Sequence, residues 1–242
     1  MTRGFAVSEY RDRLDRAQAL MARQGLAGLL LMTEPEVRWF TGYLTRFWES
    51  PSRPWFLVVP VQGDPVAVIP SIGAALMGKT WISDIRTWPA PRPHDDGVTL
   101  LADALRALPG DRIGLPMGAE TVLRMPLEDF RRVEALIAPA HVVPDAGIMA
   151  RLRAVKSPAE VDKIETACAI AGRAFDRVPD IAGDGVPLTQ VFRDFQRLCL
   201  EEGADWVPYL AGAPGLWGSN YPLLPARCPP LSPRAALVRR TG

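Results

Sequence analysis

The chain has 242 residues, enough for one large or two ordinary domains; at 48% hydrophobic and 23% charged it has the composition of a globular protein with a sizeable core. A formal net charge of +1 gives no general electrostatic case for a nucleic-acid or membrane-surface partner. No apolar run approaches the roughly 20 residues of a membrane span, and the N-terminal stretch lacks the apolar core of a signal segment, so the expected location is cytoplasmic.

In chain order, Ser8 to Gln24 carries an apolar stripe of Tyr10, Leu14, Ala17 and Leu20–Met21, with Gly25 placed to close the helix. "LAGLLLM" (26–32) is a continuous apolar run that suits a strand buried on both faces. "EPEVRWFTGY" (34–43) reads as a short helix begun near Pro35 and ended by Gly42. "WFLVV" and "VAVIP" flank a turn containing Gly63-Asp64-Pro65, which makes residues 53–70 a hairpin. Residues 71–79 read as a helix and "WISDIRTWP" (81–89) as a strand. An amphipathic helix (97–110), a strand "RIGLP" (112–116), a helix (126–138) and a last strand or loop "HVVPDAG" (141–147) follow. Such alternation defines an α/β fold, and the hairpin makes its sheet mixed. This domain is expected to cover 8–148, with "MARLRAVKS" as a linker after it.

A second domain opens at "LRAVKSPAEVDKIETACAIAG". Ser157, Pro158 and Glu160 spell a capping box with proline at the first helical position. Val161, Ile164, Cys168, Ala171 and Phe175 form one face of the helix. "DGVPLTQVFRDFQRLCLEEGA" repeats the pattern with Leu188, Val191, Phe192, Phe195, Leu198 and Cys199.

These stretches resemble the creatinase, prolidase and Xaa-Pro aminopeptidase superfamily. "EPEVRWFTGY" is similar to a family segment of the form Asn-hydrophobic-x-Tyr-hydrophobic-Thr/Ser-Gly-aromatic, with Glu36 at the usual Asn position and Trp39 at the tyrosine. "LRAVKSPAEVDKIETACAIAGRAF" and "GVPLTQVFRDFQRLCLEEGADW" resemble the first two helices of the family's metal-binding pita-bread domain. The resemblance implies a creatinase-type N-terminal domain, then an incomplete α+β pita-bread domain (149–213) and an irregular Pro/Arg-rich tail (214–242). In intact relatives it implies a pair of divalent ions (Mn, Co or Zn) held by two aspartates, a histidine and two glutamates, activating water against Xaa-Pro peptides or a small amide or amidino compound.

After Asp205 the sequence contains no Asp, Glu or His, the side chains that hold such ions. No family ligand maps onto a residue here, so no catalytic or metal-binding residue and no cofactor is assigned. Pro229, Pro230 and Pro233 interrupt any inner strand in the tail. The expectation is a C-terminally truncated, inactive chain whose reading frame leaves the ancestral one near Gly215, against the alternative of a natural disordered tail. Translating the genomic DNA in its other two frames separates these.

The resemblance also implies that the loop "LTRFWESPSRPW" approaches a neighbouring subunit's active site, which makes Arg46, Trp48 and Arg53 candidate substrate contacts. An Arg fork binds a carboxylate bidentately; the competing reading is a surface loop whose Trp packs on its own domain. His94 with Asp95 and Asp96 reads as a solvated loop, Glu201–Glu202 as a solvated helix end, and Trp81 and Trp88 as core or interface aromatics. Cys168 and Cys199 read as reduced core residues and Cys228 as a lone thiol. The expected partners are a second copy or a full-length paralogue, in an assembly or dimerisation role that is the alternative to a relic enzyme. An apolar face of Val161, Ile164, Phe192 and Phe195 is expected to lie uncovered on the second domain.

Overall fold

A computed structural model describes residues 3–50, 53–208 and 210. The expected tail, 214–242, and Cys228 lie outside the described residues. The chain divides into two compact units at Val155/Lys156.

The first unit comprises α1 (Val7–Gln24), β1 (Gly28–Leu31), α2 (Glu34–Thr41), β2 (Phe56–Pro60), β3 (Val66–Pro70), α3 (Ala74–Met77), β4 (Asp84–Trp88), α4 (Val98–Arg106), β5 (Arg112–Leu115), α5 (Leu127–Ile137), β6 (His141–Pro144) and α6 (Ile148–Ala154). The strands form one sheet in the order β4-β3-β2-β1-β5-β6. β1, β2 and β3 pair antiparallel, while β3–β4, β1–β5 and β5–β6 are parallel, so the sheet is mixed as the hairpin requires.

The two-residue period of the central strands builds two cores at once. Leu29, Leu31, Leu57, Val59, Ala67 and Ile69 face one way and meet Leu14, Ala17 and Met21 of α1, Val37 and Phe40 of α2, and Ile148, Met149 and Leu152 of α6. Leu30, Phe56, Val58 and Val68 face the other way onto Leu101, Ala102 and Leu105 of α4 and Val133 and Ile137 of α5. Continuous apolar runs are therefore what such strands need, since both faces are covered. Residues 149–154 of the expected linker are instead part of helix α6, because Ile148, Met149 and Leu152 complete the first core and Asp145 caps the helix. Asp145 carboxylate oxygens accept from the N–H groups of Gly147 (3.0 Å) and Met149 (2.9 Å).

Local stop and start signals act as the sequence directs. Gly25 (φ 63°) and Gly42 (φ 75°) end α1 and α2 in the left-handed region that favours glycine. Glu36 is buried at the start of α2. Its Oε2 accepts from the backbone N–H groups of Met32 (3.4 Å) and Thr33 (3.2 Å), closing a capping box with Thr33.

The second unit contains α7 (Pro158–Asp176) and α8 (Leu188–Glu201). Ser157 Oγ accepts from Glu160 N at 3.2 Å and Glu160 Oε2 accepts from Ser157 N at 2.9 Å, the reciprocal cap the sequence spells. Phe195, Leu198 and Cys199 of α8 pack with Ala174 and Phe175 of α7, the two phenyl rings 4.7 Å apart. Two expectations are corrected here. Cys168 is exposed rather than core, because α7 meets α8 through its C-terminal residues Ala174 and Phe175, and the earlier part of its stripe is left uncovered. Phe192 and Phe195 are buried, while Val161 (41% exposed) and Ile164 (48% exposed) do face outward.

Candidate functional site

The loop singled out in the sequence lies between α2 and β2. Thr45 Oγ1 accepts from the N–H of Phe47 at 3.3 Å and starts a single 3-10 turn, Arg46–Glu49. Arg46 is exposed and ion-paired to Glu49 within that turn at 2.7 Å. Arg53 is half-buried just before Pro54 and Trp55. Trp48 turns inward, 8% exposed, and packs on its own unit.

Around Trp48 the fold gathers an aromatic group that the sequence scatters over 13 positions, 43 to 55. The Trp48 ring lies 6.3 Å from that of Tyr43 and 5.8 Å from that of Trp55, and Tyr43 and Trp55 are 5.5 Å apart. Arg124, from the loop between β5 and α5, closes the group with its guanidinium carbon 4.8 Å from the Trp48 ring centre. Its Nη2 donates to the carbonyls of Trp48 (2.8 Å) and Ser50 (2.6 Å), so it also staples the 3-10 turn to the sheet's β5 side. The sequence offered no signal for Arg124, which sits alone in "AETVLRMP"; Tyr43 and Trp55 flank the loop and were visible as aromatics.

Burial dominates the electrostatics of this group. It pushes the Tyr43 phenol up to about 12; the Thr45 hydroxyl, near enough to oppose the shift, does not meet hydrogen-bond geometry. Burial likewise pulls the Arg124 guanidinium below its ordinary value, with only the distant Glu34 carboxylate acting against it.

The other residues weighed in the sequence are placed away from this group. His94 is exposed. Its neighbours do structural work: Asp96 Oδ1 accepts from Trp88 Nε1 at 2.8 Å and Asp95 Oδ1 from the Thr99 N–H at 2.9 Å, capping α4. Trp81 Nε1 donates to the Phe40 carbonyl at 2.8 Å. Glu201 and Glu202, expected as solvated, bind Arg177 (3.1 and 3.0 Å), and Glu202 also binds Arg173 at 2.8 Å, joining α7 to the end of α8.

Among the described residues, no group of three or more His, Cys, Asp or Glu side chains stands close enough to hold a metal ion. A two-ion hydrolytic centre needs four or more such donors converging on two cations. The described side chains do not fit one. No helix among the described residues is long and apolar enough to cross a membrane.

A three-layered mixed-sheet unit of this order, followed by a capped helix pair, defines the class to which the chain is similar. The creatinase/prolidase N-terminal domain model matches residues 13–155, more than half of the chain, and the chain belongs to that family. Among solved structures it is similar to dipeptidase PepE from Mycobacterium ulcerans (26% identity, TM-score 0.68, 87% of this chain and 54% of that one). It is also similar in fold to X-Pro aminopeptidase from Thermotoga maritima (17%, TM-score 0.73, 93% and 59%) and prolidase from Thermococcus sibiricus (18%, TM-score 0.70, 88% and 55%). The chain thus spans a little over half the length of these structures. No match was found among curated proteins.

Proposed function

We propose that this chain is a non-catalytic assembly module of the Xaa-Pro peptidase lineage, pairing in the cytoplasm with a second copy or with a full-length paralogue. By descent it is related to metal-dependent hydrolases of Xaa-Pro peptidases' kind, and as it stands it carries out no such hydrolysis. The observation that carries this reading is the donor inventory: no metal-holding group among the described residues, and no Asp, Glu or His in the sequence after Asp205.

Within this reading Arg46 and Arg53 are the groups that offer a guanidinium fork to a carboxylate at the partner's site. The inward packing of Trp48 supports a role beneath them, as the platform that fixes their loop. The exposed Val161 and Ile164 of α7 support association, since apolar side chains left open on a helix face mark an interface when they cluster.

The test is light scattering combined with a turnover assay on an Xaa-Pro dipeptide in the presence of Mn²⁺, Co²⁺ or Zn²⁺. A defined oligomer with no turnover is the expected result. Turnover by the purified chain refutes the non-catalytic reading, and a monodisperse monomer that also fails to bind a full-length relative refutes the assembly role.

A further inference from the structure

Helix α7 is longer than the part of it that α8 covers. Its C-terminal end meets α8 through Ala174 and Phe175, and Ile170 stands beside Gly203, where α8 has already ended. The residues of α7 before Ala174 are exposed or half-buried, with Val161, Ile164 and Cys168 exposed. Those three recur at steps of three and four and so form one apolar stripe. Asp162 and Glu165, also exposed, are three apart and line one edge of it. Residues 158–169 carry three carboxylates (Glu160, Asp162 and Glu165) against the single ammonium of Lys163, a net charge of −2.

The sequence that follows has the complementary chemistry. After Asp205 it contains Arg227, Arg234, Arg239 and Arg240 and no acidic side chain. In "AALVRR" (235–240) two aliphatic side chains stand next to two arginines, the pattern that matches an apolar stripe edged by carboxylates. Reach is sufficient. Leu210 packs against Leu188, Val191 and Phe192 of α8, and residues 211–234 can extend up to about 80 Å, against roughly 28 Å for the whole of α7. Magnitude favours a tethered occupant: a stripe of three side chains is, on its own, far short of the roughly 1,000 Å² of a stable interface between separate proteins. A segment of the same chain acts at an effective concentration of about 1 mM, so a contact with a dissociation constant near that value is made about half the time or more.

We propose that residues 235–240 dock within the same chain on the open half of α7, with Leu237 and Val238 against Val161 and Ile164 and with Arg239 and Arg240 toward Asp162 and Glu165. The docked segment covers the stripe in the absence of a partner. The contact does not rest on the assembly role, and a partner that uses the same stripe has to displace it and add surface of its own.

The test reads the alkylation rate of the Cys168 thiol, which stands on the stripe, located by peptide mass so that Cys199 and Cys228 are counted apart from it. The full chain at low salt is compared with a full chain carrying Arg239→Glu and Arg240→Glu, and with a chain ended after Leu210, which keeps every contact described for α8. Both variants are expected to react about twofold faster or more, in line with a segment docked half the time. The difference is expected to shrink at about 0.5 M salt, where exposed charge pairs are screened, and the full chain's rate is expected not to depend on its concentration. Should the shortened chain fail to fold, the charge-reversed chain decides alone. A charge-reversed chain that reacts at the unmodified chain's rate overturns the inference. So does protection that rises with chain concentration, which assigns the cover to a second copy. Light scattering judges the assembly role separately, whichever way this result falls.

Discussion

Arg13 Nη1 donates to the backbone carbonyl of Trp39 at 2.6 Å, joining α1 to α2 through a guanidinium that is 1% exposed. The same side chain pairs with Glu9 at 3.1 Å and lies against the rings of Phe5 (4.3 Å) and Trp39 (4.9 Å). Arg13→Ala leaves a buried carbonyl unpaired, strands Glu9 and opens a gap between rings. Loss of about 3 kcal/mol is expected in urea unfolding, the scale for removing one partner of a buried pair. Arg13→Lys restores charge but not the fork, and recovers only part. A loss below about 1 kcal/mol for Arg13→Ala contradicts this role.

Ser157→Ala removes the side-chain half of the α7 cap. A cost of about 1 kcal/mol is expected, confined to the second unit. Hydrogen exchange at the amides of Glu160 and Val161 is the direct readout. Unchanged protection there means that the cap contributes nothing.

Tyr43 sets an alkaline limit. Its phenol is raised to about 12 from an ordinary 10.0, so the folded chain keeps a proton that the unfolded chain releases first. Its contribution is complete below pH 10 and is lost as pH climbs toward 12, amounting to about 3 kcal/mol at roughly 1.4 kcal/mol per pKa unit. Tyr43→Phe should flatten the stability profile over that window. An identical slope in wild type and variant counts against the shift.

Glu201 and Glu202 act at the acid end. Arg197, then Arg177, lowers the Glu201 pKa; Arg173, then Arg177, lowers that of Glu202. Stability from depressed carboxylates is present above the unfolded value of 4.5 and fades as pH falls through the folded one. Between pH 5 and 3 the second unit of Glu202→Gln should lose less helical circular dichroism than wild type. Equal losses mean that the ion pairs are screened out in solution, as exposed pairs often are.

The features legible in the sequence were those whose cause is local. Gly25, Gly42 and Ser157 act within one turn of backbone, and the hairpin around Gly63 needs only its own two strands. Trp39 and Glu36, departures from the family pattern, become intelligible only in three dimensions, one stacked on Arg13 and the other inside a cap. Cys168 was misplaced because a helical stripe records periodicity, not which neighbour covers it. Nothing local marks Arg124, because its partners, Trp48 and Ser50, are 76 and 74 residues away. The strand order is likewise a matter of tertiary pairing, with β5 reaching back to β1.

Among the described residues no set of donors able to grip two cations comes together. Metal content per chain, measured after equilibration with Mn²⁺, Co²⁺ or Zn²⁺ and removal of free ion, tests it most directly. The expected value is well below one tightly held ion per chain. Two ions per chain, retained through dialysis and accompanied by cleavage of an Xaa-Pro dipeptide, contradict it.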